Sequence, residues 1–158
     1  MKYVSVLVLF LMATTSSSDE TPDRIVKNYL QGYSDGIDTV ELVKAYWMPS
    51  MSTFSAGRQA SHMSSLDFAK LVDSFRENER SKGWIRTSII ESAMCVLRED
   101  MAFVHVRYQR EYKDGSMLED AVLYTVNKEI DWRISSVIPT VTNILVECTE
   151  PRERKDDV

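Results

Sequence analysis

The spacing of apolar residues changes at Trp84 from a helical period to a period of two, and this change constrains the fold more than any other feature. Before Trp84, apolar side chains recur every three or four residues, which is typical of amphipathic helices. After it, four alternating stretches are typical of strands: about 85–97, 101–112, 117–127 and 132–138. Their connections are short and rich in turn residues, so neighbouring strands must be antiparallel. The sequence therefore predicts an α+β domain in which three helices precede a curved antiparallel sheet of about four to six strands.

Each of the three helices has a recognisable start. Thr21-Pro22 is an N-cap followed by proline at the first helical position, and Asp38 begins the second helix with Glu41 as a capping box. We place Trp47 on the apolar face of the second helix, before Met48-Pro49 ends it. A short extended segment at 51–55 and a turn at Gly57-Arg58 follow.

The third helix begins at Ser64 with Asp67 and ends near Gly83. Its helical spacing predicts one buried stripe and one solvent side. The predicted stripe contains Leu66, Phe68, Leu71, Val72 and Phe75, and the predicted solvent side contains Arg76, Glu77, Glu79 and Arg80.

The first eighteen residues have the three parts of a secretory signal peptide. A lysine at position 2 precedes an apolar run of about ten residues, and small residues follow from Ala13. The run is too short to span a bilayer. The alternative to a signal peptide is that the run forms a buried strand. We predict a signal peptide at 1–18, a single domain at 19–139, and a C-terminal strap with a charged tail at 140–158. The protein would then be secreted or periplasmic, with no membrane attachment after cleavage.

Charge and motif content exclude several classes of function. The net charge is −5 and the basic residues are scattered, so no nucleic-acid partner is expected. The sequence has no glycine-rich phosphate loop, nucleophile elbow or metal-ligand spacing, so we predict no cofactor and no metal. Two cysteines, Cys95 and Cys148, could form a disulfide in an oxidising compartment, or both could be small buried hydrophobic residues.

Several segments together resemble the nuclear transport factor two-like superfamily, which includes the SnoaL-like and ketosteroid isomerase-like proteins. The resemblance covers residues 22–139. The segments that carry it are the first helix at 25–33, the strand, turn and helix start at 54–58 and 65–68, the turn Tyr112-Lys113-Asp114-Gly115-Ser116, and the strand segments 123–126 and 132–134.

The resemblance implies a cone-shaped domain whose sheet curls around the helices and leaves a pocket at one end. In members of the superfamily this pocket serves isomerases, dehydratases, cyclases and epoxide hydrolases, and in many others binding alone, so the fold does not determine the function. Our first hypothesis is a non-catalytic domain that binds a small apolar or amphipathic molecule, or a homodimer formed through the outer sheet face. Candidate pocket residues are Trp47, Phe54, His62, Met63, Phe68, Trp84 and Tyr124. His62, in the loop before the third helix, could instead be an ordinary solvated side chain.

The alternative function is an acid/base isomerase or hydrolyase. Asp120 shares a strand face with apolar residues, and burial there would favour its protonated form, which could act as a general acid. Tyr29 and Tyr33 lie one helical turn apart and could hydrogen-bond a ligand oxygen. Asp120 could equally lie partly exposed or pair with an arginine of a neighbouring strand, and the tyrosines could simply pack.

Two further observations count against catalysis. The ketosteroid isomerase pattern requires an acid in the segment 51–54, which contains none, and its second acid would fall near Leu123 or Tyr124 rather than at Asp120. Along 102–112, Phe103, His105, Arg107, Gln109 and Glu111 share the face opposite the packed one. That face is either an outer surface, with His105 and Arg107 in solvent or an interface, or a polar lining of the cone.

Overall fold

The computed structural model describes residues 20–54 and 61–140. Three helices precede most of the sheet: α1 (Pro22–Asp35), α2 (Thr39–Tyr46) and α3 (Ser65–Ser81). The six strands are β1 (Trp47–Thr53), β2 (Ser61–Ser64), β3 (Trp84–Arg98), β4 (Met101–Tyr112), β5 (Met117–Lys128) and β6 (Trp132–Thr140). The predicted α+β class is confirmed, and the four long strands lie within two residues of their predicted bounds.

The predicted caps form as expected because each satisfies backbone N–H groups that the first helical turn leaves without partners. The Thr21 hydroxyl accepts a hydrogen bond from the Arg24 amide at 3.4 Å. Asp38 accepts from the amides of Val40 and Glu41, each at 3.0 Å. The Ser64 hydroxyl likewise accepts from the Asp67 amide at 3.2 Å.

The strands form one sheet in the order β2-β1-β6-β5-β4-β3. β3, β4, β5 and β6 form the predicted antiparallel meander, and β1 pairs antiparallel with β2. The expectation of an antiparallel sheet fails at one position, because β1 is parallel to β6. A tight turn forces antiparallel pairing only between strands that it joins. β1 and β6 are far apart in the sequence, so no turn fixes their relative direction.

The helices cover one face of the curled sheet, and the core lies between them. Every second residue of a strand points to this inner face. The largest fully buried side chains of the core are Trp47, Leu42, Met51, Ile134, Val26 and Val43.

The predicted faces of α3 are partly wrong. Phe68 and Val72 are buried as expected, but Leu71 and Phe75 are 42% and 56% exposed because they border an open cavity. Leu66 is exposed as well. Arg76 and Glu79, which we placed on the solvent side, are only 3% and 4% exposed. They lie on the same side of α3 as the buried Phe68 and Val72, and this side packs against the rest of the domain.

Two predicted positions change element. Trp47 is the C-cap of α2 and the first residue of β1. Its ring is buried in the core, but it does not lie on the apolar face of a helix. His62 lies in β2 and not in a loop, because residues 61–64 pair with β1. Its Nε2 lies 2.6 Å from the Ser50 hydroxyl on the neighbouring strand.

The outer face of the sheet carries Phe103, His105 and Arg107, as the alternation predicts. Arg107 lies between two carboxylates, 3.0 Å from Glu91 and 3.3 Å from Glu119. Of the alternatives for His105, the one that places it in solvent is wrong, because its side chain is only 1% exposed and its Nε2 lies 2.9 Å from the Thr140 hydroxyl.

Several predictions concern residues that the structure does not describe. The signal peptide, the turn at Gly57-Arg58, Cys148 and the C-terminal tail lie outside the described residues. Cys95 is described, and it is disulfide-bonded. No helix of the described part of the chain is long and apolar enough to cross a membrane.

Candidate ligand cavity

A cavity of about 270 Å³ lies between α1 and α3 on one side and the inner face of the sheet on the other. This volume lies just below the usual range for ligand pockets, which is about 300–1,000 Å³, so the cavity suits a compact molecule. The described residues that line the cavity are Tyr29, Leu30, Tyr33, Thr53, Phe54, Phe68, Leu71, Val72, Phe75, Thr87, Tyr108, Arg110, Val122, Tyr124, Val137 and Pro139.

An aromatic cluster forms the inner wall of the cavity. Trp47 lies behind the wall, with its ring centroid 4.2 Å from Phe68 and 5.3 Å from Tyr29. Tyr124 meets Tyr29 edge to face at 6.4 Å. Such edge-to-face pairs stabilise this arrangement of the rings.

Arg110 forms the charged part of the cavity lining, and its charge is already balanced. Its Nη1 lies 2.6 Å from Asp120 Oδ2 and 4.0 Å from Glu79 Oε2, while its Nη2 donates to the Tyr108 hydroxyl at 3.0 Å. Burial opposes the charged form, but the neighbouring Tyr108, Asp120 and Glu79 outweigh it and raise the pKa of Arg110. The guanidinium is therefore charged and held in place by its neighbours.

Phenol groups supply the other polar atoms of the lining. Burial raises the pKa of Tyr108 to about 12, although Arg110 acts in the opposite direction. Burial also raises the pKa of Tyr29, Tyr33 and Tyr124. All four are neutral hydrogen-bond donors near neutral pH. The hydroxyls of Tyr33 and Tyr124 have no hydrogen-bond partner among the described residues.

A second polar cluster lies beside the cavity. Tyr112 donates to Glu79 Oε2, and Lys82 contacts Glu79 Oε1 at 2.7 Å. Burial works against the charged form of Glu79, but its bonds with Lys82 and Tyr112 prevail and lower its pKa. Arg76 donates to the Ile37 carbonyl at 2.7 Å, and its guanidinium lies 4.7 Å from the Tyr33 ring centroid. These groups position the ends of α1 and α3 and do not line the cavity.

The structure brings some of the predicted site residues together and separates others. Tyr29, Tyr33, Phe54, Phe68 and Tyr124 line the cavity. Asp120 is not among the lining residues, because its carboxylate pairs with Arg110, the arrangement that was one of the two alternatives for it.

The remaining candidates lie away from the lining. Trp47 is buried behind the aromatic wall, and Trp84 packs against Tyr33 while its indole N–H donates to the Thr87 hydroxyl at 3.1 Å. His62 and Met63 belong to β2, at the end of the sheet order.

Sequence reasoning missed the arginine of the site. By the period of two, Tyr108 and Arg110 lie on the face of β4 opposite His105 and Arg107, which is the packed face. That period was the available signal. A charged residue on a packed face indicates a buried ion pair or a polar cavity lining, and Arg110 takes part in both.

The described residues contain no group of three or more histidine, cysteine, aspartate or glutamate side chains arranged to hold a metal ion. The cavity itself therefore offers apolar contact, phenol donors and one paired guanidinium.

A sheet curled around three helices, with a cavity between them, defines the cone-shaped α+β class. A family model described as "NTF2-like protein (DUF6841)" matches residues 19–142. The chain belongs to this NTF2-like family. No curated protein matches the sequence.

Solved structures show the same fold at low sequence identity. An NTF2-like protein with a cystatin-like fold from Novosphingobium aromaticivorans is 14% identical, with a TM-score of 0.61 over 78% of this chain and 81% of that one. A ketosteroid isomerase-like protein from Erwinia carotovora atroseptica is 18% identical, with a TM-score of 0.51 over 73% of this chain and 88% of that one. The association domain of Caenorhabditis elegans CaMKII is 14% identical, with a TM-score of 0.55 over 75% of this chain and 91% of that one.

Proposed function

We propose that this domain binds a compact amphipathic small molecule in the cone cavity and does not transform it. The observation that carries the proposal is the composition of the lining. Apolar and aromatic side chains form most of it, and the polar atoms include two phenol hydroxyls that lack a partner among the described residues. A ligand with an apolar body and one oxygen acceptor would fill the volume and accept those hydrogen bonds.

The alternative, an acid/base enzyme, has less support from the same lining. No carboxyl, imidazole, thiol or amine is found among the described residues that line the cavity. A general acid or base works best when its pKa lies near the operating pH. The lining phenols and the guanidinium all have raised pKa values, so they serve better as hydrogen-bond donors than as proton carriers.

We also propose that the protein is exported. The N-terminal segment has the composition of a signal peptide, and Cys95 is disulfide-bonded, which suits an oxidising compartment. Homodimerisation through the outer sheet face also stays a prediction. One fold neighbour is named as an association domain, and light scattering of the purified protein would measure the oligomeric state of this one.

Isothermal titration with 1-decanol and decanoate tests the binding proposal. Val137 and Ile138 are neighbours on β6 whose side chains point to opposite faces, and only Val137 lines the cavity. Val137→Phe should fill part of the cavity. Decanol binding should then weaken by roughly tenfold or more, because the larger side chain occupies space that the ligand needs. Ile138→Phe is the matched control and should bind as the wild type does. Equal binding by both variants would contradict a cavity site.

A further inference from the structure

The polarity of the cavity lining changes from one side of the sheet to the other. On β1, β6 and the residue that follows β1, the described lining residues are apolar apart from one threonine: Thr53, Phe54, Val137 and Pro139. On β3 and β4 they are polar: Thr87, Tyr108 and Arg110. β5 separates β6 from β4 in the sheet order. The sheet wall of the cavity therefore has an apolar side and a polar side.

α3 shows the same change along its length. It begins directly after β2, at one edge of the sheet, and ends shortly before β3, at the other edge, so it crosses the strands. Its lining residues come first and are all apolar: Phe68, Leu71, Val72 and Phe75. Arg76 follows, with its guanidinium 4.7 Å from the Tyr33 ring centroid, and Glu79 then accepts a hydrogen bond from Tyr112. Both walls thus become polar in the same direction, toward β3 and β4.

The phenol groups lie on the polar side. Tyr33 packs on Trp84 of β3, with ring centroids 5.6 Å apart. The Tyr108 hydroxyl accepts a hydrogen bond from Arg110 at 3.0 Å, so its own proton is available to a ligand. Burial raises the pKa of Tyr124, and neighbouring phenols, those of Tyr108 and Tyr33 included, raise it further, so these groups lie near one another. A head group on this side can therefore accept more than one hydrogen bond.

The strand register gives the length of the cavity between its two sides. Tyr108 and Pro139 are separated by two strand spacings sideways and two residues along the strands, which is about 12 Å. Val137 lies two residues further along β6, about 16 Å from Tyr108. An extended carbon chain advances about 1.3 Å per carbon, since a C–C bond is about 1.5 Å long. A chain of about nine to twelve carbons therefore spans this distance.

We propose that the ligand is a single-headed amphiphile with a chain of about nine to twelve carbons, which lies obliquely across the strands. Its neutral polar head meets the hydroxyls of Tyr33 and Tyr108 beside Arg110. Its chain lies between α3 and the sheet and ends near Val137 and Pro139. A second polar group at the far end would lose water without gaining a partner, so a molecule with two heads does not suit the site. This inference rests on the proposed binding function and adds the class and the orientation of the ligand.

Isothermal titration of 1-hexanol and 1-decanol against two variants tests where each end of the ligand lies. Tyr33→Phe removes a hydrogen bond to the head, so the affinity for both alcohols should fall by the same factor, about fivefold. Val137→Thr places a hydroxyl beside the far part of the chain. Extended 1-decanol is about 13 Å long and comes within contact distance of Val137, whereas 1-hexanol is about 8 Å long and does not.

Val137→Thr should therefore weaken 1-decanol binding by roughly fivefold or more and leave 1-hexanol binding unchanged. Ile138→Thr is the matched control, because the Ile138 side chain points to the opposite face of β6, and it should change neither affinity. In the wild type, 1,10-decanediol should bind at least roughly tenfold more weakly than 1-decanol.

Two results would overturn this inference and leave the binding function standing. The first is a Val137→Thr effect that is absent or equal for the two alcohols, because the chain would then not end at β6. The second is equal binding of 1-decanol and the diol, because the far end would then accept a polar group. Failure of the wild type to bind either alcohol would overturn the binding function and this inference with it. Circular dichroism checks that each variant is folded.

Discussion

Arg110 and Asp120 form an ion pair across β4 and β5, with Nη1 2.6 Å from Oδ2. The Asp120 side chain is 39% exposed, whereas that of Arg110 is 15% exposed and borders the cavity. The guanidinium of Arg110 thus borders the cavity, while the carboxylate of Asp120, which does not line the cavity, neutralises its charge. A neutral acceptor gains more from such a site than an anion does.

Asp120→Asn should therefore change ligand preference. Removing the carboxylate leaves the charge of Arg110 less compensated, so decanoate binding should strengthen by roughly threefold to tenfold relative to 1-decanol. Glu119→Gln is the matched control, because Glu119 is next to Asp120 in the sequence but pairs with Arg107 on the outer face. Isothermal titration measures both ligands. An unchanged ratio in Asp120→Asn would show that Arg110 does not contact the ligand.

Tyr124→Phe separates binding from stability. The Tyr124 hydroxyl has no partner among the described residues, so its loss should leave the free energy of unfolding unchanged or slightly higher. Affinity for 1-decanol should fall by about fivefold, which corresponds to one neutral hydrogen bond. Urea unfolding and titration give the two values. A clear loss of stability without a loss of affinity would assign the hydroxyl a structural role instead.

Tyr112→Phe should show the opposite behaviour. Its hydroxyl donates to the buried carboxylate of Glu79, which also contacts Lys82 and does not line the cavity. Removing the hydroxyl leaves the buried carboxylate of Glu79 without one of its hydrogen bonds, so the free energy of unfolding should fall by about 1–3 kcal/mol. The affinity for 1-decanol should not change. A double-mutant cycle with Glu79→Gln isolates the interaction, and a coupling free energy near zero would contradict it.

His105 should make stability depend on pH. Burial, with a further contribution from Arg107, lowers the pKa of His105, although Glu91 acts in the opposite direction. The unfolded chain therefore binds more protons just below the ordinary histidine pKa of about 6.5, so this contribution is present above that pH and is lost as the pH falls. Between pH 7.5 and 5.5, the wild type should lose more stability than His105→Gln does. Urea unfolding measures the difference, and His62→Gln should follow the wild type. Identical losses in wild type and His105→Gln would contradict the prediction.

Much of the fold followed from local patterns. The caps at Thr21, Asp38 and Ser64 and the four long strands were predictable, because each depends on residues close together in the chain. The parallel β1–β6 pairing was not, since it joins two distant segments with no turn to dictate direction. The faces of α3 failed for a related reason. Helical spacing shows which residues share a side, but not which neighbours bury Arg76 and leave Phe75 beside a cavity.

The candidate site divides in the same way. Tyr29 and Tyr33 could be proposed from their helical spacing, because period determines which side of an element a residue occupies. Tyr124 was proposed as a pocket residue through the family resemblance. Whether Asp120 faced apolar surroundings or an arginine depended on the register between β4 and β5, which no single strand encodes.

The sequence by itself determined the elements, their order and the α+β class, because hydrophobic period and capping act over a few residues. Only the tertiary structure decided that Asp120 neutralises Arg110, that the phenols of α1 and β5 share one cavity, and that His105 is covered on the outer face. Charge pairing and burial depend on groups brought together from distant parts of the chain, and those distances exist only once the sheet has curled around the helices.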